Sequence, residues 1–254
     1  MAQHALLSAS SASRWLHCTP APIAESIYPD ESSEYAEEGT LAHAMGAKKI
    51  KQALGLDTSG EDEEIAQLYA RYYAPEMDIH TDRYASYVLK TLERRTHVGE
   101  RAEAHIESRL DFSEYVPEGF GTGDATVISD GTMDIIDLKY GKGVKVSAEL
   151  NPQMRLYALG ALDAWEYAYD VRRVRMTIYQ PRIGNVSVWM ETVESLREWA
   201  EKELRPLAQL AFRGAGDRHA GKWCRFCKAK ENCMEFARQR AADAAGDFAG
   251  IEFE

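Results

Sequence analysis

Residues 121–143 read GTGDATVISDGTMDIIDLKYGKG, and the fold is best inferred from this stretch outward. It holds two short runs rich in β-branched and other apolar residues, at 124–129 and 133–138. Between them stands Asp130-Gly131, and an Asp-Gly pair between such runs is a strong signal for a β-hairpin turn. The stretch therefore predicts two neighbouring antiparallel strands.

Acidic residues and a lysine fall at matching ends of these two predicted strands. Asp124 begins the first strand, and Asp137-Leu138-Lys139 ends the second. Side chains alternate along a strand, so Asp137 and Lys139 project from one face while Leu138 points into the core. Burying Asp137 directly after an apolar run is unfavourable unless the carboxylate has a partner or a metal. For this triplet alone, a hairpin aspartate and a surface lysine are the more ordinary explanation.

This arrangement of carboxylates and a lysine suits the hydrolysis of a phosphodiester. The nucleic-acid backbone is anionic and repels hydroxide, and a hard divalent cation both neutralises that charge and activates water. Mg²⁺ and Mn²⁺ prefer carboxylate oxygens, which Asp124 and Asp137 supply. Lys139 is then placed to orient water or to stabilise the pentacovalent phosphate. Together these features predict metal-dependent cleavage of nucleic acid.

Two further residues are candidates for the metal site. His43 follows Gly39 by four residues in a predicted helix, and manganese accepts imidazole readily. On its own, a structural or surface histidine is the more ordinary explanation for His43. Glu107 shares a predicted strand face with Glu103 and His105, from which it would assist the metal through a water. An exposed strand face explains Glu107 equally well.

Polar side chains on either side of the predicted site are candidate substrate contacts. Gln153 and Tyr157 lie four residues apart on a predicted helix and therefore face the same way. An amide and a phenol there suit contact with a DNA phosphate or the orientation of catalytic groups, although an ordinary helix surface also explains them. Nearby basic residues predicted to favour an anionic substrate are Lys142, Lys145 and Arg155.

The rest of the chain alternates between predicted helices and strands. Apolar periodicity predicts helices over 37–54, 62–73 and 79–95, a strand over 101–112, the hairpin, a helix over 149–168, strands over 171–181 and 185–193, and a helix over 193–212. This order predicts an α/β fold with a mixed central sheet flanked by helices. The expected parts are an N-terminal segment 1–36, a helical region 37–98, a core 99–213, a cysteine-bearing region 214–240 and a flexible tail 241–254.

Composition and charge narrow the class of protein. The 254 residues suffice for one large domain or two small ones, and 45% hydrophobic with 28% charged residues is ordinary for a globular protein. A net charge of −11 argues against a general nucleic-acid coating protein, but not against a nuclease whose carboxylates bind metal. No run approaches a membrane span, and the N-terminus lacks the pattern of a signal peptide. We therefore expect a cytoplasmic protein with no membrane partner.

The motifs resemble, in order and spacing, those of the RecB-like branch of the PD-(D/E)xK nuclease superfamily: Gly39…His43, Gly123-Asp124, Asp137-Leu138-Lys139 and Gln153…Tyr157. The resemblance implies a restriction-endonuclease-like core in which Mg²⁺ or Mn²⁺ is held by His43, Asp124, Asp137 and the Leu138 carbonyl. It makes Lys139 the catalytic lysine, with Gln153 and Tyr157 as an accessory motif near the substrate. The departures are small: the acid of the last triplet is Asp137 rather than Glu, and no Pro precedes Asp124.

The same resemblance implies a metal-dependent DNA exonuclease that acts on single-stranded DNA or DNA ends, similar to phage-borne and prophage-borne exonucleases of a bacterial host. The preference for an exonuclease comes from the resemblance alone. One alternative is a non-cutting module that holds DNA or a partner protein, and another is an iron–sulfur redox or sensor protein. Because the chain has no GxxxxGK[ST] motif, any ATP-driven unwinding would require a separate helicase or recombination protein. The sequence does not indicate an oligomeric state.

All four cysteines belong to one pattern. Cys224 and Cys227 form a CxxC, Cys233 follows, and Cys18 stands alone near the N-terminus. In a cytoplasmic protein such a set favours a metal over disulfides, and four thiolates suit either zinc or an iron–sulfur cluster. A zinc ribbon usually offers two CxxC knuckles, whereas this chain has one. The arrangement resembles the 4Fe–4S staple of AddB-type and CRISPR-associated RecB-like nucleases, which implies a structural cluster; zinc and unliganded cysteines are the alternatives.

Overall fold

The computed structural model describes residues 5–29, 33–96 and 101–248. Its α-helices are α1 Ala12–His17, α2 Ala21–Glu25, α3 Glu34–Leu54, α4 Ser59–Tyr72, α5 Pro75–Thr96, α6 Pro152–Trp165, α7 Val193–Trp199, α8 Arg205–Phe212 and α9 Met234–Phe248. Its strands are β1 Ala102–Asp111, β2 Phe120–Ser129, β3 Gly131–Leu138, β4 Val171–Gln180 and β5 Asn185–Thr192. By packing, the chain divides into two compact units, one of residues 31–112 and 120–198 and one of residues 1–30, 113–119 and 199–254.

The first of these units, which we call the sheet unit, is built on one five-stranded sheet in the order β1-β2-β3-β4-β5. Neighbouring strands are antiparallel except β3 and β4, which are parallel and are joined through α6. A parallel pair needs such a crossover because a tight turn can only reverse the chain direction. The predicted mixed sheet flanked by helices is confirmed.

The predicted β2–β3 hairpin forms at Asp130-Gly131. Ser129 pairs with Thr132 across the turn, and Gly131 has a φ of 79°, a conformation that glycine adopts without a steric penalty. The turn is tied to the start of β4, since the Gly131 N–H donates to the Asp170 carbonyl at 2.7 Å. A signal carried by two residues therefore predicts the correct strand pairing.

Helices cover both faces of this sheet. The face that carries Ile136 and Leu138 packs against α3 and α5, where Ile50, Tyr84 and Val88 join the same buried cluster. Side chains alternate along β3, so residue 137 points to the opposite face, which α6 covers. The two faces give the sheet its core, and they leave the carboxyl end of β3 as the place where α3, α6 and the hairpin strands meet.

Asp134 of β3 is paired with arginine side chains and lies outside the candidate metal site. Asp134 is fully buried, and both of its oxygens accept hydrogen bonds from guanidinium groups, Arg95 at 2.7 and 2.9 Å and Arg175 at 3.0 Å. Arg175 also donates to the Tyr87 hydroxyl. A buried carboxylate is tolerated when it is paired in this way, and the arrangement fixes α5 against β3 and β4.

The second unit joins the two ends of the chain, and we call it the terminal unit. Helices α1 and α2 pack on α8. Glu25 links the N-terminal and C-terminal segments, because its carboxylate accepts hydrogen bonds from Arg14 at 2.7 Å and from the Lys228 N–H at 2.9 Å. The Thr19 hydroxyl donates to the Ala215 carbonyl at 2.6 Å. The N-terminal segment is thus bonded to residues about 200 positions later, independently of any metal.

The structure differs from the sequence expectations near the C-terminus. Residues 241–248, expected to be a flexible tail, continue α9, because the run AADAAGDF is rich in alanine, which has the highest helix propensity. Residues 249–254 of that expected tail lie outside the described residues. The single helix predicted over 193–212 is interrupted by a π-helical turn at Ala200–Leu204. Within the described ranges, no helix is both long enough and apolar enough to cross a membrane.

Candidate functional site

Three side chains of types that can ligate a metal meet in the sheet unit. One ligand atom from each of His43, Glu107 and Asp124 lies within 4.8 Å of the other two. Among the described residues, no other group of three or more histidine, cysteine or acidic side chains is that close. His43 comes from α3, Glu107 from β1 and Asp124 from β2. We call this group the His43 cluster.

Strand register explains why the acidic side chains converge. Ile106 pairs with Ala125 in β1 and β2, and Ala125 pairs with Ile136 in β2 and β3. One position further along, Glu107, Asp124 and Asp137 therefore stand side by side on three neighbouring strands. The β2–β3 pairing ends just before this row, and the β1–β2 pairing skips Glu107 and Asp124 and resumes at Ser108 and Gly123.

Asp124 is the central residue of the site. Its Oδ1 lies 3.3 Å from His43 Nδ1, and its Oδ2 accepts a 2.6 Å hydrogen bond from the Leu138 N–H. Burial opposes ionisation of Asp124, but the charges of His43 and Lys139 and these hydrogen bonds outweigh it, so the pKa of Asp124 is lowered. Burial likewise opposes protonation of His43, yet the charge of Asp124 and their hydrogen bond raise the pKa of His43 to about 9. The metal-free site therefore holds an imidazolium–carboxylate pair at neutral pH.

Asp137 and Lys139 form a second pair beside the cluster. Lys139 Nζ lies 2.9 Å from Asp137 Oδ2 and donates a 3.1 Å hydrogen bond to Oδ1. Gln153 Nε2 donates to the same Oδ1 at 3.3 Å and to the Tyr157 hydroxyl at 3.2 Å. Burial raises the pKa of Asp137 despite the charge of Lys139. Asp137 Oδ2 is buried, and the Lys139 ammonium 2.9 Å away is its counter-ion.

Glu107 departs from the sequence prediction. Its φ is 49°, in the left-handed region that non-glycine residues rarely adopt, so it does not follow the alternation that would group it with Glu103 and His105 on an exposed strand face. Instead it joins His43 and Asp124. Burial and the charge of Asp124 raise the pKa of Glu107 to about 8. A non-glycine residue held in this conformation is a feature that structures retain mainly at functional sites.

The side chains present suit a hard divalent cation. Glu107, Asp124 and Asp137 supply carboxylate oxygens and His43 supplies an imidazole nitrogen, a donor set that fits Mg²⁺ or Mn²⁺. Two of the three carboxylates, Glu107 and Asp137, have raised pKa values, mainly because they are buried. A bound cation would favour the ionised form of both.

The other predicted site residues fall into two groups. Gln153 and Tyr157 do face the same way, but the Gln153 amide donates to both Asp137 and the Tyr157 hydroxyl, and Tyr157 is buried. Lys142 and Lys145 are exposed on the segment between β3 and α6, apart from the buried cluster. The N–H of Leu138 serves Asp124, while the predicted role of its carbonyl stays a prediction.

Arg155 is not one of the basic groups of the site. It forms a buried ion pair with Glu191 of β5, with nitrogen–oxygen distances of 2.8 and 2.9 Å. Sequence reasoning also misses Tyr84, whose hydroxyl is buried without a hydrogen-bond partner while its phenol is subject to the charges of the three carboxylates. In the sequence, Tyr84 looks like one more residue on the apolar stripe of α5, so no local signal distinguishes it.

The four cysteines meet in the terminal unit. Cys18, Cys224, Cys227 and Cys233 all line one cavity, although Cys18 is more than 200 residues from the others in sequence. None forms a disulfide. Arg218 hydrogen-bonds to Cys233, which helps to lower the pKa of that thiol although burial opposes it. Trp223 lines the same cavity, whereas Phe226, between Cys224 and Cys227 in sequence, is 75% exposed.

Comparisons with known proteins give a family match and distant structural neighbours. Residues 4–252 match the family described as "Protein of unknown function (DUF2800)". A crystal structure from Eubacterium rectale, described as a "Putative exonuclease", aligns with a TM-score of 0.42 and 11% identity over 90% of this chain and 88% of that one. The crystal structure of SSO0001 aligns with a TM-score of 0.35 and 11% identity over 89% of this chain and 95% of that one. Scores this low support no inference about activity.

Proposed function

The chain belongs to the DUF2800 family, and we propose that it is a divalent-metal-dependent nuclease that hydrolyses phosphodiester bonds in DNA. The observation that carries the proposal is the convergence of His43, Glu107 and Asp124 within 4.8 Å, with Asp137 and Lys139 beside them. Three of these five side chains are carboxylates, which supply the oxygen ligands that Mg²⁺ and Mn²⁺ prefer, and they come from three neighbouring strands. Mg²⁺ or Mn²⁺ bound there would neutralise phosphate charge and activate water for attack on phosphorus.

Each side chain of the site has a defined task in this proposal. The cation would be held by His43, Glu107, Asp124 and Asp137. Lys139 keeps its proton, because the charges of Asp137 and Asp124 outweigh the effect of burial and raise its pKa. It therefore presents a positive charge to the phosphate.

The surrounding polar residues act on the site or on the substrate from outside the cluster. Gln153 and Tyr157 act through Asp137, because the Gln153 amide donates to the Asp137 carboxylate and is itself held against the Tyr157 hydroxyl. These bonds fix the orientation of the carboxylate. Lys142 and Lys145 are exposed and suited to contact the DNA backbone, where each would neutralise phosphate charge.

The finer assignment is to an exonuclease of the RecB-like branch of the PD-(D/E)xK superfamily. It is supported by the order of the motifs that carry His43, Asp124, Asp137-Leu138-Lys139 and Gln153…Tyr157, and by their meeting around one site. On this assignment the substrate is single-stranded DNA or a DNA end, in phage or prophage recombination or DNA processing. A separate helicase or recombination protein would supply any unwinding.

We propose further that the four cysteines hold a 4Fe–4S cluster in the terminal unit. They line one cavity and none of them forms a disulfide, as expected for four ligands of one metal group. A structural zinc site commonly uses two CxxC pairs, whereas this chain has one, and the order of its cysteines resembles the 4Fe–4S staple of AddB-type and CRISPR-associated RecB-like nucleases.

The function is tested by incubating anaerobically purified protein with end-labelled single-stranded and duplex DNA. We expect cleavage with Mn²⁺ or Mg²⁺ and none with EDTA, and the product ladder would reveal polarity and strand preference. Ca²⁺, an oxygen-ligand cation of larger radius, is the control for non-specific charge neutralisation. If folded protein that carries its cluster shifts the DNA in a gel mobility assay but never cuts it, the protein is instead the non-cutting binding module.

Cation binding is expected to strengthen as pH rises. His43 and Glu107, with pKa values of about 9 and 8, carry protons at neutral pH that a cation must displace. Raising the pH from 6 to 8 weakens this competition, so Mn²⁺ affinity should rise by up to about tenfold per pH unit for each displaced proton. Mn²⁺ titrations followed by electron paramagnetic resonance measure this, and His43→Asn should have a shallower slope. An affinity that is constant over this range would contradict the assignment of these residues as ligands.

A further inference from the structure

Tyr84 of α5 is a buried polar residue beside the His43 cluster that the proposed mechanism does not use. Its side chain is 2% exposed, and its hydroxyl has no hydrogen-bond partner. Leaving a buried hydroxyl unpaired is unfavourable, because the group gives up its bonds to water and gains none in return. A phenylalanine would fill the same space without this penalty, so a role for the hydroxyl is required to explain the tyrosine.

Packing places the Tyr84 ring against the segments that carry the site. It belongs to the buried cluster that contains Leu138, the residue between Asp137 and Lys139. It also lies against Gly46, one helical turn after His43: a Cβ at Gly46 would stand 2.9 Å from Tyr84 Cδ1 and 3.2 Å from Cε1. The glycine therefore allows the ring to approach the part of α3 that carries His43.

The electrostatic surroundings of Tyr84 are those of the site itself. Burial, followed by the charges of Asp124, Glu107 and Asp137, raises the pKa of Tyr84 well above its ordinary value. The phenol thus keeps its proton and has a free O–H donor close enough to the three carboxylates to be affected by their charges. By contrast Tyr87, one turn further along α5, has its hydroxyl engaged by Arg175 at 3.3 Å.

We propose that Tyr84 is a positioning residue of the cation site, whose hydroxyl donates a hydrogen bond to a water of the cation-loaded His43 cluster and thereby tightens cation binding. The inference rests on the proposed function, because it presupposes that His43, Glu107 and Asp124 bind a cation. Partners that orient metal ligands in this way typically change metal affinity by roughly 10- to 100-fold when they are removed.

Tyr84→Phe tests the inference, with Tyr87→Phe as its matched control. We expect Tyr84→Phe to weaken Mn²⁺ binding, measured by electron paramagnetic resonance, by about tenfold, and Tyr87→Phe to leave it unchanged. The metal-free melting temperature of Tyr84→Phe should equal or exceed that of the parent, since an unpaired hydroxyl is removed. The stabilisation that added Mn²⁺ gives should nevertheless be smaller, a difference that a purely structural role for Tyr84 would not produce.

A second variant makes the test independent of one substitution. Gly46→Ala should push the Tyr84 ring away and weaken Mn²⁺ binding in the same direction, while alanine favours the helix. If the parent binds Mn²⁺ and Tyr84→Phe binds it equally well, the inference is overturned while the proposed function stands. If the parent binds no Mn²⁺ at all, the proposed function fails, and the role of Tyr84 fails with it.

Discussion

Lys139→Met is expected to reduce DNA cleavage by at least about 100-fold while leaving the fold intact, since removing one group that stabilises transition-state charge typically has an effect of this size. Methionine keeps the length and apolar stem of the side chain and removes only its charge. In the structure that charge lies 2.9 Å from Asp137 Oδ2 and next to the site where the cation would bind. Its loss deprives the phosphate of a positive partner and leaves Asp137 without its counter-ion.

Lys90→Met is the matched control for this experiment, because Lys90 is exposed on α5 and lies outside the proposed site. Initial rates on end-labelled single-stranded DNA in Mn²⁺ would be compared for the parent and the two variants, beside their circular dichroism. We expect Lys90→Met to cut at the parental rate. If Lys139→Met cut DNA at the parental rate, Lys139 would have no catalytic role, and the metal site alone would account for cleavage.

Cys227→Ala is expected to cause the largest loss of stability. Removing a ligand of a structural metal site releases the binding free energy that such a site adds to folding, and effects above about 4 kcal/mol are typical of mutations that lose a metal. For a chain of this size 1 kcal/mol corresponds to roughly 2–4 °C, so the melting temperature should fall by about 10 °C or more. The variant should also lose visible absorbance and iron, measured on anaerobically purified protein.

Phe226→Ala controls for disturbance of the CxxC segment. Phe226 stands between the two cysteines in sequence and is 75% exposed, so its removal should change neither colour nor melting temperature. If the parent protein contained zinc and no iron, the cysteines would be assigned to a zinc site instead of an iron–sulfur cluster. If Cys227→Ala melted like the parent, the cysteines would have no structural role, and the bonds from Glu25 and Thr19 would suffice to hold the terminal unit.

Predictions that depend on short-range pattern agree well with the structure. The Asp130-Gly131 turn fixes the β2–β3 pairing, and this pairing alone brings Asp124 next to Asp137. The helices around His43 and Gln153 follow from apolar periodicity. Their boundaries differ by a few residues where a capping side chain decides; Ser33 accepts from the Ala36 N–H and starts α3 earlier than the apolar pattern does.

Predictions about exposure agree less well, because burial depends on what another segment of the chain brings. The sequence predicts that Arg155 adds positive charge near the site, but β5 supplies Glu191 as its buried partner. An ordinary helix surface is one explanation for Gln153 and Tyr157 in the sequence, yet both are packed beside Asp137. In each case the partner is distant in sequence, and no local pattern encodes it.

Local sequence patterns are enough to identify the residue types that could bind a divalent cation and the strands and helices that carry them. Alternation, turn chemistry and helical periodicity are properties of short segments, and the order of the motifs is visible in the chain itself. His43, Asp124, Asp137, Lys139 and the four cysteines are therefore candidates on the sequence alone.

Two members of the site depend instead on how distant segments pack together. Glu107 joins the cluster through an irregular φ of 49°, which turns its side chain towards His43 and Asp124. Tyr84 lies beside the cluster with an unpaired hydroxyl because α5 approaches α3 closely at Gly46. Both positions arise from contacts between segments far apart in the chain, and sequence periodicity carries no record of such contacts.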